Sequence, residues 1–154
     1  MRQSFLLIAV YALIFCSDAF AQAKLPGFVI ADVNGQYHHI NEATIKKKPV
    51  LLVYFSPDCD DCRAFTARLT KHNSLFDHYE VIMVTNSNLD ALKKFATDFG
   101  LANKPNLMIG TEGWTGKLQR ALSVERFPFV AAYNAKGVSI RNFTNPNNLF
   151  DKTL

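Results

Sequence analysis

The sequence has no internal repeat, no low-complexity segment and almost no clustering of like charge. Its 154 residues carry a formal net charge of +4, and Lys46-Lys47-Lys48 is the only basic run. We interpret this run as a solvated loop before an apolar segment. A stripe of Lys and Arg interleaved with aromatic residues is missing, which argues against nucleic acid as a partner. Hydrophobic residues make up 49% of the chain, so its composition is that of a folded domain and not of a disordered segment.

Residues that bind metals are also scarce, with three cysteines and four histidines in the chain. A structural zinc site needs two pairs of ligands, each at short spacing. Only one Cys-x-x-Cys motif is present, Cys59-Asp60-Asp61-Cys62, and no histidine pair is spaced to complete it. The histidines are His38, His39, His72 and His78. We therefore expect no metal site and no cofactor.

The first 21 residues have the pattern of an export signal. Arg2 gives a positive start, residues 5–15 form an apolar run too short for a comfortable membrane span, and Ala19-Phe20-Ala21 has the form of a cleavage site. We predict cleavage after Ala21, export to the periplasm, and one domain over residues 22–154.

Removal of this segment changes the cysteine count. Cys16 lies inside it, and the bulky Phe15 before it argues against a lipid anchor at that cysteine. The mature protein then keeps only Cys59 and Cys62. Two cysteines this close together close a very small loop, which constrains the unfolded chain little. A redox role is therefore expected more than a structural one.

The hydrophobic pattern predicts an α/β domain with helices on a mixed central sheet. Asn34-Gly35 is a strong hairpin signal between two short strands. An unbroken apolar run over residues 50–55 is typical of a strand buried on both faces. We predict strands at 28–33, 36–40, 50–55, 79–85, 106–109, 129–133 and 138–143, and helices at 59–73, 89–99 and 114–122. One helical turn, with Asn41 as its cap, is also predicted at 41–45. Any helix after residue 144 must be short.

The dithiol lies where the buried strand 50–55 gives way to helix 59–73, with Ser56 or Asp58 expected as the helix N-cap. The first turn of a helix has unpaired N–H groups and the positive end of the helix dipole, which together stabilise a thiolate. We predict that Cys59, at the tip, is the nucleophile that attacks a substrate disulfide. Cys62, one turn further along, then resolves the mixed disulfide.

These residues resemble a known family. One stretch is similar to the active-site strand and helix start of thioredoxin-like proteins: Val50-Leu51-Leu52-Val53-Tyr54-Phe55-Ser56-Pro57-Asp58-Cys59-Asp60-Asp61-Cys62-Arg63. With the leading hairpin it resembles the extracytoplasmic TlpA/ResA-type branch, also described as redoxin or AhpC/TSA-like, in the form common in Bacteroidetes-like bacteria. The resemblance covers about residues 26–143.

The resemblance implies a thioredoxin fold with an added N-terminal β-hairpin. It also implies a thiol–disulfide oxidoreductase that forms a Cys59–Cys62 disulfide in its cycle. Phe127-Pro128, just before an apolar strand, maps to the family's cis-proline segment, with backbone hydrogen bonds from Phe127 to a substrate chain. The implied partners are protein thiols and disulfides and a redox donor, soluble or membrane-bound.

The dithiol also departs from the family pattern. The buried carboxylate common six residues before the first cysteine is replaced by Val53, and three aspartates, Asp58, Asp60 and Asp61, flank Cys59. Because like charge disfavours a thiolate, these aspartates oppose the effect of the helix terminus. We therefore predict a couple that acts as a reductant.

Two other functions remain open from the sequence. One is a non-catalytic binding module that keeps the dithiol as a disulfide clip. The other is a redoxin-type thiol peroxidase, for which Arg63 and Thr66 are near in sequence to the dithiol. Trp114 is expected to be a packed aromatic residue on helix 114–122, with a platform facing the substrate as the alternative.

Overall fold

The computed structural model describes residues 23–45, 48–102 and 104–150. The predicted signal segment, which contains Cys16, lies outside these residues. So do Lys46 and Lys47 of the basic run. In chain order the strands and α-helices are β1 Phe28–Asp32, β2 Tyr37–Ile40, β3 Val50–Tyr54, α1 Asp60–Lys71, β4 Glu80–Thr85, α2 Leu89–Asp98, β5 Leu107–Thr111, α3 Lys117–Ala121, β6 Phe129–Tyr133 and β7 Ser139–Phe143. Short 3₁₀ turns cover Asn73–Phe76, Gly113–Thr115 and Pro146–Leu149. No helix among the described residues is both long and apolar enough to cross a membrane.

Seven strands of the described chain form one sheet in the order β2-β1-β5-β4-β3-β6-β7. The three central strands β3, β4 and β5 run parallel, whereas all other neighbours are antiparallel. All five residues of β3 are buried, because β4 and β6 flank the strand and helices cover both of its faces. The sequence prediction of a mixed α/β sheet with an N-terminal hairpin is confirmed.

The two sides of β3 face different layers of the core. Leu51, Val53 and Phe55 pack with α1 and α2 on one face. Leu52 and Tyr54 pack with Leu118 of α3 on the other face. Because β3 and α1 are consecutive, this packing fixes the strand-to-helix turn that carries the dithiol.

The hairpin of β1 and β2 joins the sheet through a short seam. Only Ala31–Thr111 and Asp32–Gly110 pair between β1 and β5 in the described structure. A Cβ atom at Gly110 would lie 2.8 Å from the side chain of Ile30 and 3.0 Å from the carbonyl oxygen of Ala31. Glycine at this position therefore permits the close approach of β1 to β5.

Two helix predictions need correction in their detail. The predicted helix 114–122 is divided into the 3₁₀ turn Gly113–Thr115 and α3, because Gly116 between them takes a left-handed conformation at φ 52°. The predicted one-turn helix at residues 41–45 is a turn in which the Asn41 side chain accepts hydrogen bonds from the Ala43 and Thr44 backbone.

Candidate functional site

Cys59 is the N-cap of α1, the helix that begins directly after the turn from β3. Its backbone is extended, at φ −87° and ψ 119°, and its sulfur accepts a hydrogen bond from the Cys62 backbone N–H at 3.3 Å. The expectation that Ser56 or Asp58 caps this helix is wrong. The Ser56 carbonyl instead accepts from the Cys59 N–H at 3.2 Å, which closes the turn before the helix. The partly exposed sulfur therefore lies at the positive end of α1.

Cys62 lies one turn further along α1 and is fully buried. Burial foremost, then the hydrogen bond with Cys59, raises the pKa of the Cys62 thiol to about 12. Both cysteines are free thiols in the structure, and the disulfide between them stays a prediction. The two sulfurs thus differ in their access to solvent, as attack and resolution by separate thiols require.

The Phe127-Pro128 segment lies against the dithiol. Its peptide bond is cis, and the Phe127 carbonyl oxygen accepts a hydrogen bond from the Cys59 thiol at 3.8 Å. Pro128 is buried and leads into β6, the antiparallel neighbour of β3. The fold therefore brings together two residues that are 68 positions apart in the chain. The contact of Phe127 with a substrate chain remains a prediction.

The three predicted modulating aspartates are exposed around this sulfur. Asp58 precedes Cys59, while Asp60 and Asp61 occupy the first turn of α1. Val53 is fully buried in the apolar core, so its position offers no carboxylate for proton transfer to Cys62. Among the described residues, no group of three or more His, Cys, Asp or Glu side chains is arranged to hold a metal ion.

Of the two residues named for a peroxidase, Arg63 is paired on α2 and Thr66 is buried. The Arg63 guanidinium forms an ion pair with Asp98 at 3.2 Å and lies 5.1 Å from the centre of the Phe99 ring. Thr66 is fully buried, and its hydroxyl has no hydrogen-bond partner in the described structure. Arg63 is thus held on α2.

Sequence reasoning missed a polar pair behind the dithiol. Tyr54, assigned only to the core, is fully buried and donates a hydrogen bond of 2.5 Å from its hydroxyl to Glu112 Oε1. Its ring stacks on Phe127, with ring centres 5.9 Å apart. Burial foremost, then the bond to Glu112, raises the pKa of Tyr54 well above its usual range. The signal in the sequence was weak: a single carboxylate directly after a strand.

Trp114 is 88% exposed, so the expectation that it packs on a helix is wrong. It lies in the 3₁₀ turn before Gly116, where no apolar face covers it. A cavity of about 730 Å³ opens nearby, between the hairpin and the start of α3, and its lining includes Tyr37, Glu112 and Lys117. Neither cysteine lines this cavity.

Comparison with known proteins agrees with this geometry. A family model described as a thioredoxin-like domain matches residues 36–153. No curated protein sequence matches the chain.

Several solved structures share the fold. A secreted disulfide oxidoreductase from Mycobacterium tuberculosis is 20% identical, with a TM-score of 0.62 over 79% of this chain and 90% of that one. A thiol–disulfide oxidoreductase from Bacteroides fragilis is 12% identical, with a TM-score of 0.70 over 84% and 96%. The thioredoxin domain of a Bacteroides vulgatus thiol–disulfide oxidoreductase is 18% identical, with a TM-score of 0.69 over 84% and 92%. At these identities the likeness concerns the fold alone.

Proposed function

Because the chain belongs to the thioredoxin-like domain family, we propose that it is an extracytoplasmic thiol–disulfide oxidoreductase that reduces protein disulfides through Cys59 and Cys62. The observation that carries this proposal is the placement of the two sulfurs. A partly exposed sulfur caps a helix, and a buried thiol lies one turn behind it on the same helix.

The reaction follows from this placement. The Cys59 thiolate attacks one sulfur of a substrate disulfide, forms a mixed disulfide and releases the other substrate sulfur as a thiolate, which takes up a proton. Cys62 then loses its proton and attacks the Cys59 sulfur, which releases the second substrate thiol. Two electrons pass to the substrate, and the protein is left with a Cys59–Cys62 disulfide. A dithiol donor, soluble or membrane-bound, must reduce this disulfide before the next cycle.

Two features favour the reductant direction. The buried Cys62 retains its proton, with a pKa near 12, so the reduced protein gains little from thiolate formation at that position. Asp60 and Asp61, in the first turn of α1, add negative charge near the Cys59 sulfur. A dithiol whose thiolates are stabilised is harder to oxidise. Because neither feature stabilises a thiolate here, the Cys59–Cys62 dithiol gives up its electrons more readily than such a couple does.

Export rests on the N-terminal sequence pattern. One fold relative is named as secreted, which agrees with a TlpA/ResA-type role outside the cytoplasm. N-terminal sequencing of the protein from its native host tests this part of the proposal. Cleavage after Ala21 is the expected result, and a retained Met1 would contradict it.

The activity is tested by reduction of insulin with dithiothreitol as electron donor. Wild type should accelerate insulin precipitation, whereas Cys59→Ser should match the uncatalysed rate. In the native host, Cys62→Ser should accumulate mixed disulfides through Cys59, and their identity names the protein partners. The same extract treated with Cys59→Ser is the matched control.

Absence of both insulin reduction and trapped species would favour the binding-module alternative. A peroxide-consumption assay addresses the peroxidase alternative. We expect no consumption above that of Cys59→Ser, because the Arg63 guanidinium is already paired with Asp98.

A further inference from the structure

Glu112, which follows β5 directly, accepts hydrogen bonds from three donors: the distant Tyr54 hydroxyl and two adjacent backbone N–H groups of α3. Oε1 accepts from the Tyr54 hydroxyl at 2.5 Å and from the Gln119 N–H at 3.2 Å, and Oε2 accepts from the Leu118 N–H at 2.8 Å. Its own backbone N–H donates to the Thr85 carbonyl of β4 at 2.9 Å. The carboxylate is therefore fixed by β4 and α3, and it holds Tyr54 at a single position.

Tyr54 links this carboxylate to the reacting site. It is the last residue of β3, and its ring lies nearly parallel to that of Phe127, with 17° between the ring planes. The Phe127 carbonyl oxygen in turn accepts from the Cys59 thiol. A continuous series of contacts thus runs from Glu112 through Tyr54 and Phe127 to the sulfur.

A second route leads from Glu112 to the same segment. Gln119, whose N–H is bound by Glu112, donates from its side chain to the Val124 carbonyl at 3.4 Å and accepts from the Asn86 side chain at 3.0 Å. The Val124 N–H donates a hydrogen bond to the Gln119 carbonyl at 3.0 Å. Val124 begins the stretch that ends at Phe127, so Glu112 restrains both the ring of Phe127 and the chain that leads to it.

We propose that Tyr54 and Glu112 are positioning residues for Phe127. They hold the Phe127 carbonyl against Cys59, and they hold the Phe127 backbone in place for a substrate chain. This inference rests on the proposed function. The Phe127 carbonyl oxygen lies 3.8 Å from the Cys59 sulfur and covers one side of it. Release of Phe127 therefore has two opposite consequences: Cys59 becomes more reactive to a small alkylating agent, while protein disulfides bind less well.

The test compares Tyr54→Phe, Glu112→Gln and Glu112→Ala with wild type. Tyr54→Phe keeps the ring and removes the hydroxyl that Glu112 binds. We expect a fall of about fivefold in kcat/KM for insulin, carried by KM, and a rise of about twofold in the alkylation rate of Cys59 by iodoacetamide at pH 7. Glu112→Gln, which keeps an oxygen acceptor, should show a smaller change than Glu112→Ala. The double variant Tyr54→Phe/Glu112→Ala should be no worse than Glu112→Ala, because both changes break the same bond.

Tyr133→Phe is the matched control. Tyr133 is buried in the same core layer as Tyr54 and pairs with Val50, at the opposite end of β3 from Tyr54. Its substitution should leave both KM and the alkylation rate at wild-type values, whatever its effect on stability.

The outcomes separate this inference from the proposed function. If wild type fails to reduce insulin, the proposed function is overturned, and alkylation still tests the positioning. An unchanged alkylation rate in Tyr54→Phe and Glu112→Ala overturns the positioning, even if both variants melt at lower temperature. A faster alkylation in Tyr133→Phe overturns it equally, since loss of any buried hydroxyl would then suffice.

Discussion

The sulfur of Cys59 caps helix α1, because it accepts a hydrogen bond from the Cys62 backbone N–H at 3.3 Å. One atom is therefore both the proposed nucleophile and the N-cap acceptor of α1. Reactivity and helix stability are joined at this residue, and substitutions there affect them to different extents.

Substitutions of Cys59 should separate these two roles. Serine is a good N-cap, whereas alanine has no side-chain acceptor for the Cys62 N–H. Both Cys59→Ser and Cys59→Ala should lose insulin reduction, but Cys59→Ala should be less stable to urea than Cys59→Ser by about 1 kcal/mol. Equal unfolding midpoints and slopes for the two variants would contradict the capping role.

The resolving step should depend steeply on pH. The folded pKa of Cys62 is raised to about 12, so this thiol is protonated at neutral pH and its thiolate fraction grows about tenfold for each pH unit below that value. Rapid mixing of a preformed mixed disulfide at Cys59 should show a release rate that rises by about tenfold per unit from pH 6 to 9. The Cys62→Ser variant, prepared in the same way, should show no release, and a rate independent of pH in wild type would refute the prediction.

Removal of the acidic pair in α1 should make the couple more oxidising. Asp60→Ala/Asp61→Ala removes negative charge beside the Cys59 sulfur, so the thiolate and with it the reduced state gain stability. The potential, measured against glutathione, should become more positive by about 20 mV, because exposed charges are strongly screened. Glu42→Ala/Asp77→Ala makes the same change in net charge at two exposed positions outside α1 and should leave the potential in place. A shift in the negative direction would reject the argument.

Two buried threonines should respond oppositely to substitution by valine. Thr66 in α1 has no partner for its hydroxyl, whereas the Thr85 hydroxyl oxygen accepts from the Ser87 N–H at 3.2 Å. Thr66→Val should raise the free energy of unfolding by about 1 kcal/mol, because an unsatisfied polar group is removed. Thr85→Val should lower it by a similar amount, because a bonded Ser87 donor is left without its acceptor. Urea titration of both variants checks the signs, and a loss of stability in Thr66→Val would show that its hydroxyl has a partner.

Much of the architecture was predictable because its signals are local. The apolar run 50–55 identified β3, and Asn34-Gly35 identified the hairpin, since each pattern depends on neighbouring residues alone. The strand-to-helix junction at Cys59 followed from the break at Ser56-Pro57-Asp58.

The features that the sequence did not predict depend on how residues are placed relative to one another in the folded chain. The cap of α1 depends on which side chain the turn directs to the Cys62 N–H, and Cys59 takes this place in preference to Ser56 and Asp58, the two candidates predicted from the sequence. Tyr54 and Glu112 are 58 positions apart, so no periodicity relates them. Trp114 resembled a helix residue by its spacing, but the left-handed Gly116 interrupts the helix after it.

The short seam at Gly110 has a mechanical consequence. A load applied at the N-terminal end of the described chain acts first on the backbone bonds that join Ala23 to Ser139 and Leu25 to Gly137, and then on the hairpin, before it reaches β3. Two residue pairs join β1 to β5, whereas five join β3 to each of its neighbours. Once the bonds of Ala23 and Leu25 break, the hairpin should detach before the central strands separate. A fused domain or a surface tether at this end could therefore pull on the molecule while Cys59 and Phe127 keep their contact.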